Sequence, residues 1–173
     1  MTEPLTPLQE RLREIFDRRD RADMQPTIDA FRAVLDEHPD DADVLYEVGG
    51  AYDTDGQEET AVGYYERAMA AGLDGDTLRR CLIQYGSTLR NLGRVDDSLR
   101  VLAQARERFP ESASVRVFEA LTLHAAGRTD ASMARMLELV ADHLRTPEII
   151  RYEAAIRGNA KYLTGGFTQG GED

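Results

Sequence analysis

Arg80, Gln84, Ser87, Arg90 and Asn91 are the residues whose types and spacing best suit recognition chemistry. Steps of three and four positions separate them, so a helix carries them on one face. Two guanidinium groups on such a face could hold a carboxylate through paired hydrogen bonds, while the amides and the hydroxyl meet a peptide backbone. The alternative is that Arg80 and Arg90 pair with Asp43, Glu47 or Asp53 on a neighbouring helix, and exposed pairs of that sort contribute little. Catalysis has poorer support. Glu47, Asp53 and His124 are common polar residues, and nothing joins a nucleophile to a base and an oxyanion donor. The histidines, His38, His124 and His143, lack ligand spacing, and the single cysteine, Cys81, excludes an internal disulfide and a thiolate cluster. Cys81 reads as a small buried apolar residue. The chain is therefore expected to be no enzyme and to use no metal and no cofactor.

Composition narrows the partners. The 173 residues are 42% hydrophobic and 31% charged, which suits one helix-rich domain, with a formal net charge of −11. That charge opposes DNA and RNA, whose binding needs concentrated cations to release counterions. No segment has the length to span a bilayer, and the opening Met-Thr-Glu-Pro is acidic where a secretory signal is basic and then apolar. A cytoplasmic protein with a protein partner, and with neither nucleic acid nor membrane, is the expectation. The stretch holding Gly165, Gly166, Gly170 and Gly171 lacks the preceding strand, following helix and closing Lys-Ser or Lys-Thr of a phosphate loop. Residues 165–173 are expected to form a disordered tail.

The elements that must position these residues are set by a register of small and large apolar residues. Gly49, Tyr52, Gly56, Ala61, Tyr65 and Ala68 recur 37 residues later as Gly86, Leu89, Gly93, Ser98, Leu102 and Ala105. They recur again after a further 34 as Ala120, Leu123, Gly127, Ser132, Met136 and Leu139. A period near 34 belongs to helix-turn-helix solenoids. In the middle copy Leu78, Leu82, Tyr85, Leu89 and Leu92 make one helical stripe, which Gly93 ends in the left-handed conformation. A second helix from about Val95 to Phe109 follows, with Asp96 and Asp97 in its first turn, Arg106 and Arg108 in its last, and Pro110 as the stop. Small residues let two helix backbones approach and large ones fill the remainder. Phe31, Val34 and Pro39 mark a partial upstream copy, preceded by a helix with Leu8, Leu12, Ile15 and Phe16 on one side. Thr146, Pro147 and Glu148 read as the N-cap, first residue and first-turn acid of a final helix containing Ile149, Ile150, Ile156 and Leu163.

This register resembles the tetratricopeptide repeat, a 34-residue pair of antiparallel helices, over roughly residues 8 to 144. The run from Tyr85 to Arg94 resembles a bacterial subgroup of short tetratricopeptide proteins. The resemblance implies an all-α fold, a right-handed α-α superhelix of about three full repeats with a degenerate N-terminal repeat and a C-terminal capping helix. On that reading residues 1–164 form one solenoid, with the degenerate repeat at 8–40, repeats at 41–74, 78–111 and 112–144, and the cap at 146–163. The chain departs from the family where the aromatic usual early in the first helix is Leu45, Leu82 and, in the third repeat, Arg116, and where the closing proline, present as Pro39 and Pro110, is replaced by Leu73 and Leu144. The three-residue excess in the first interval is assigned to a longer turn at Leu73-Asp74-Gly75-Asp76.

In the family the first helices line a concave groove in which a partner peptide lies. The resemblance thus directs attention to Tyr46 and Asp53 in one repeat, Arg80, Gln84, Ser87, Arg90 and Asn91 in the next, and Val117, Leu121 and His124 in the third. Phe118 and Leu121 either anchor an apolar side chain or lie as core under the C-terminal helix. The family's lysine and asparagine clamp for a terminal carboxylate is missing, since Tyr46, Gly50, Ser114 and Phe118 occupy the corresponding places. The implied function is a protein-protein interaction module that binds a peptide or helical segment without catalysis. The alternative is a self-associating scaffold, a homo-oligomer, because solenoids with imperfect caps associate.

Overall fold

The computed structural model describes residues 5–165. The acidic opening residues 1–4 and the tail beyond Gly165 lie outside them. Among the described residues the chain is all-α, as the sequence implies: α1 (Pro7–Arg18), α2 (Gln25–Glu37), α3 (Ala42–Thr54), α4 (Glu58–Ala70), α5 (Gly75–Asn91), α6 (Val95–Arg108), α7 (Ala113–Ala125), α8 (Thr129–His143) and α9 (Pro147–Leu163). Two compact units divide it, residues 1–88 and 89–173.

Two devices start most of the helices. Thr6, Asp41, Ser112 and Thr146 cap α1, α3, α7 and α9, each side chain accepting a hydrogen bond from a backbone N–H in the first turn. Thr6 also forms a reciprocal box with Gln9. The helices α4, α6 and α8 lack a side-chain cap and follow instead from a glycine turn. Gly56, Gly93 and Gly127 adopt φ of 79°, 77° and 72°, which side chains with a Cβ rarely tolerate. In each case the next residue's N–H reaches five residues back, Gln57 to Tyr52, Arg94 to Leu89 and Arg128 to Leu123, at 2.8 to 2.9 Å. This closes the helix C-terminus and fixes where the following helix begins.

One expectation needs correction. The extra residues of the first interval are helical rather than a longer turn: α5 starts at Gly75 and runs for 17 residues, against 13 in α3 and in α7. Gly72, at φ 96°, makes the same closure as the other glycines, with Leu73 N–H on the Ala68 carbonyl at 3.2 Å. The turn is thereby completed early, and the remaining residues add a turn of helix.

In the first unit Leu12, Met24, Ile28, Phe31, Val34, Val44, Val48 and Ala51 form one buried cluster. The reason for a glycine at 49 is visible, since a Cβ there would stand 2.9 Å from the fully buried Tyr65 ring. Phe16, expected on the packed side of α1, is instead exposed beneath the Arg19 guanidinium, 3.6 Å from the ring centroid. The second unit packs through smaller groups, Ala105, Ala120, Ala134, Ala141 and Ala160, with Leu102, Val115 and Leu123. Its α8 departs from the register. Ala134 and Ala141 are buried, and this turns Met133 and Met136 outward, although Tyr65 and Leu102 at the equivalent of Met136 are wholly buried.

Candidate protein-binding faces

In the first unit, α3 lies between α1 and α5. Its Asp43 is near Gln9 of α1 and Thr77 of α5, both of which favour its ionised form, while burial and neighbouring Asp41 hold its pKa above the ordinary carboxylate value. One turn on, Glu47 is pushed up to about 7, chiefly by burial, with Arg80 opposing the shift and Asp43 adding to it. Arg80 is exposed and pairs with Asp76 of its own helix at 2.7 Å. The neighbouring-helix pairing considered for Arg80 is thus reduced to a through-space interaction with Glu47.

Gln84 lies beside Gly50, where an added Cβ would approach its Oε1 to 4.0 Å. That amide oxygen is buried and has no hydrogen-bond partner among the described residues. Buried acceptors are normally satisfied, so this one is an open valence on the α3–α5 face. Ser87 is partly buried on the same helix. Tyr46 is only 6% exposed and its ring lies 6.3 Å from that of Tyr65. Asp53 is also committed to the interior, accepting from Thr88 at 2.9 Å and from the Tyr65 hydroxyl at 3.2 Å. Burial raises its pKa against both bonds. Cys81 is fully buried, and burial lifts its thiol to about 12, so it packs as an apolar residue.

In the second unit Arg90 is partly buried, which lowers its pKa, and Asn91 is exposed at the end of α5. On α7, Val117 and Phe118 are partly buried, whereas Leu121 is 47% exposed and His124 is exposed. Leu121 is therefore not core beneath α9. No group of three potential metal ligands occurs among the described residues, and no described helix is long and apolar enough to cross a membrane.

Spacing within single helices does not reveal the ion-pair network of this unit. Glu119 of α7 is buried between Arg106 of α6 at 3.3 Å and Arg135 of α8 at 3.2 Å. Asp142 of α8 joins Arg116 of α7 and Arg157 of α9, and both guanidiniums hold its carboxyl below the usual range. A signal was present in the register. Arg116 stands where Leu45 and Leu82 are buried, and Glu119 stands where Val48 and Tyr85 stand in the other copies. Charges at two core positions one turn apart need partners inside the fold.

Charge also divides unevenly. Residues 1–88 carry twenty acids and nine arginines, a net of −11, whereas residues 89–173 carry twelve acids and twelve cations. The whole formal charge of the chain thus belongs to the first unit.

A family model described as tetratrico peptide repeat matches residues 42–163. Among solved structures, the chain is similar to YrrB, described as a TPR protein with an unusual peptide-binding site, at 16% identity and TM-score 0.58, over 84% of this chain and 71% of that one. It is also similar to a chain in the structure of Naa15/Naa10 bound to HypK-THB, at 17% identity and TM-score 0.67, over 93% of this chain but only 23% of that one. A third similar structure, a MamA RS-1 double mutant, is matched over 94% of this chain and 97% of that one, at 14% identity and TM-score 0.66. No curated protein matches the chain.

Proposed function

We propose, from the premise that this chain belongs to the tetratricopeptide repeat family, that it is a non-catalytic interaction module whose first unit binds an extended or helical segment of a partner protein on the α3–α5 face. The observation that carries this reading is Gln84 Oε1, a buried acceptor with no hydrogen-bond partner among the described residues. Gln84 is only partly buried, so rotation of its side chain brings that oxygen to the surface, where a backbone N–H of a bound segment satisfies it. Gly50 keeps the approach to it open.

The partner segment is proposed to be cationic. Arg80, the residue best suited to grip a carboxylate, already pairs with Asp76 and faces Glu47, and its surroundings belong to the unit that carries the net charge of −11. Opposite charges accelerate encounter and set partner choice. Leu121 and His124 of α7 are proposed as a separate contact on the second unit, Leu121 taking an apolar side chain.

Selection of peptides from a random library on the immobilised full chain tests the proposal. Selected sequences are expected to be rich in Lys and Arg. Gln84→Ala should weaken them about tenfold, the cost of one buried hydrogen bond, and Arg80→Glu should strengthen them. Acid-rich sequences that weaken on Arg80→Glu would show that the face grips carboxylates instead, and binding indifferent to both changes would remove the face from the function.

A second reading, self-association, is favoured by α9. Ala154 stands 34 residues after Ala120, in the series of Gly49 and Ala120, and both of those are buried. Within each pair the small position meets the second helix, Gly49 against Tyr65 and the Ala120 carbonyl accepting from Ser132 at 2.7 Å. Ala154 is exposed, together with Ile150 at 46% and Tyr162 at 67%. A second copy is proposed as the occupant of that face. Sedimentation equilibrium at micromolar concentration should then show a dimer that Ile150→Glu dissociates; a monomer throughout removes this reading.

A further inference from the structure

The second unit contains a cavity of about 580 Å³ on which four successive helices each place one arginine: Arg106 of α6, Arg116 of α7, Arg135 of α8 and Arg157 of α9. We infer that this cavity is a binding site for a small polyanion bearing at least two oxyanion groups, phosphoryl or carboxylate. It is separate from the α3–α5 face and does not depend on it.

The arginines are grouped by two carboxylates. Glu119, 6% exposed, holds Arg106 and Arg135 by their Nε atoms, while Asp142 holds Arg116 and Arg157 by their terminal nitrogens. The two Nε contacts to Glu119 are ion pairs outside hydrogen-bond geometry, and a guanidinium has five N–H donors in a fixed fork, so these contacts position the groups without exhausting them. Arg106 approaches Glu119 most closely through Nε, at 3.3 Å. Arg135 uses Nε on Glu119 and Nη1 on Glu138, and Arg157 uses Nε on Glu153 and Nη2 on Glu153 and Asp142. Nη2 of Arg135 and Nη1 of Arg157 take no part in these contacts.

The lining includes the acids Glu107, Glu138 and Asp142, which together with Glu119 and Glu153 beside them offset the four arginines. That balance argues against a single weak anion. It favours a ligand that spans both arginine pairs and takes several bidentate bonds at once. The volume is ample for two oxyanion groups and the atoms that join them. A network serving only to pack helices needs no open space between its arginines, and here that space is the cavity.

Titration calorimetry of the full chain with pyrophosphate and with citrate, at ionic strength matched by sodium chloride, tests the inference and separates the two chemical sources. One saturable site is expected for at least one anion, with pyrophosphate preferred if the natural group is phosphoryl and citrate if it is carboxylate. Arg106→Gln retains the Arg135 contact to Glu119 and should weaken binding at least tenfold, whereas Arg32→Gln in the first unit should leave it unchanged. Absence of saturable heat with either anion at millimolar concentration overturns the inference, as does equal affinity in Arg106→Gln. Should that variant lose its helical circular dichroism, hydrogen exchange of the unaltered chain decides. Anion-dependent protection in residues 106–157 supports the site, and protection confined to other residues or absent overturns it.

Discussion

Residues 1–88 carry a net charge of −11 and a core of Phe31, Ile28, Val48 and Tyr65, whereas residues 89–173 are neutral, pack through alanines, and bury an arginine-clasped glutamate. Both are built from the same helix-turn-helix repeat. The difference shows that the repeat specifies glycine turns and backbone approach and leaves the rest of each interface open to other solutions. The first unit solves it with large apolar side chains and leaves its acids uncompensated, which suits a cationic partner. The second balances its charges internally and leaves apolar groups outside, at Leu121, Met133, Ile150, Tyr152 and Tyr162.

The largest expected effect lies in the second unit. Glu119→Leu removes a buried carboxylate from between two arginines and should cost roughly 2–4 kcal/mol, read from urea unfolding, while Asp36→Leu on the exposed side of the first unit should cost little. Similar losses would erase the distinction between a clasped and an uncompensated acid. Gly49→Ala follows, since its Cβ meets a fully buried Tyr65 ring at 2.9 Å; overpacking offset by better helix propensity leaves a loss of roughly 1–2 kcal/mol.

Glu47 sharpens the contrast through pH. Its folded pKa, about 7, lies above its ordinary 4.5, so the folded state holds the proton more tightly and stability falls as pH rises between those values. Glu47→Gln should flatten that dependence and stabilise the chain at pH 8 by about 1–2 kcal/mol, with little change at pH 4; an unaltered pH profile would contradict the burial assigned to Glu47. The smallest effect tests whether glycine is needed everywhere. Gly63 and Gly158 are helical, with nothing within 4 Å of an added Cβ, so alanine at either should stabilise by about 0.5–1 kcal/mol, as thermal unfolding would show.

Much of the fold was legible because its punctuation is chemical. Gly56, Gly93 and Gly127 with the cap Thr146 mark helix ends by residue type alone. The start of α5 was less legible, because Asp74-Gly75-Asp76 is turn-like in composition and only the early closure at Gly72 makes it helical. Phe16 shows the same limit, since its spacing places it on the packed side of α1 but does not show how far the buried arc extends. The candidate faces were legible in part. Leu121 is exposed and Gln84 is partly buried. Tyr46 escaped because a helix packed on two sides buries a wide arc, and the apolar stripe records only one of them. Glu119 and its arginines escaped because their partners come from three other stretches of chain, which spacing within a single helix does not join.

Hydrogen exchange of the full chain with and without a library-selected peptide, at low and high salt, tests the central claim most directly. The account predicts protection of residues 42–54 and 75–88, with affinity falling steeply as sodium chloride screens the acidic unit. Protection absent from both segments, or affinity independent of salt, would contradict it.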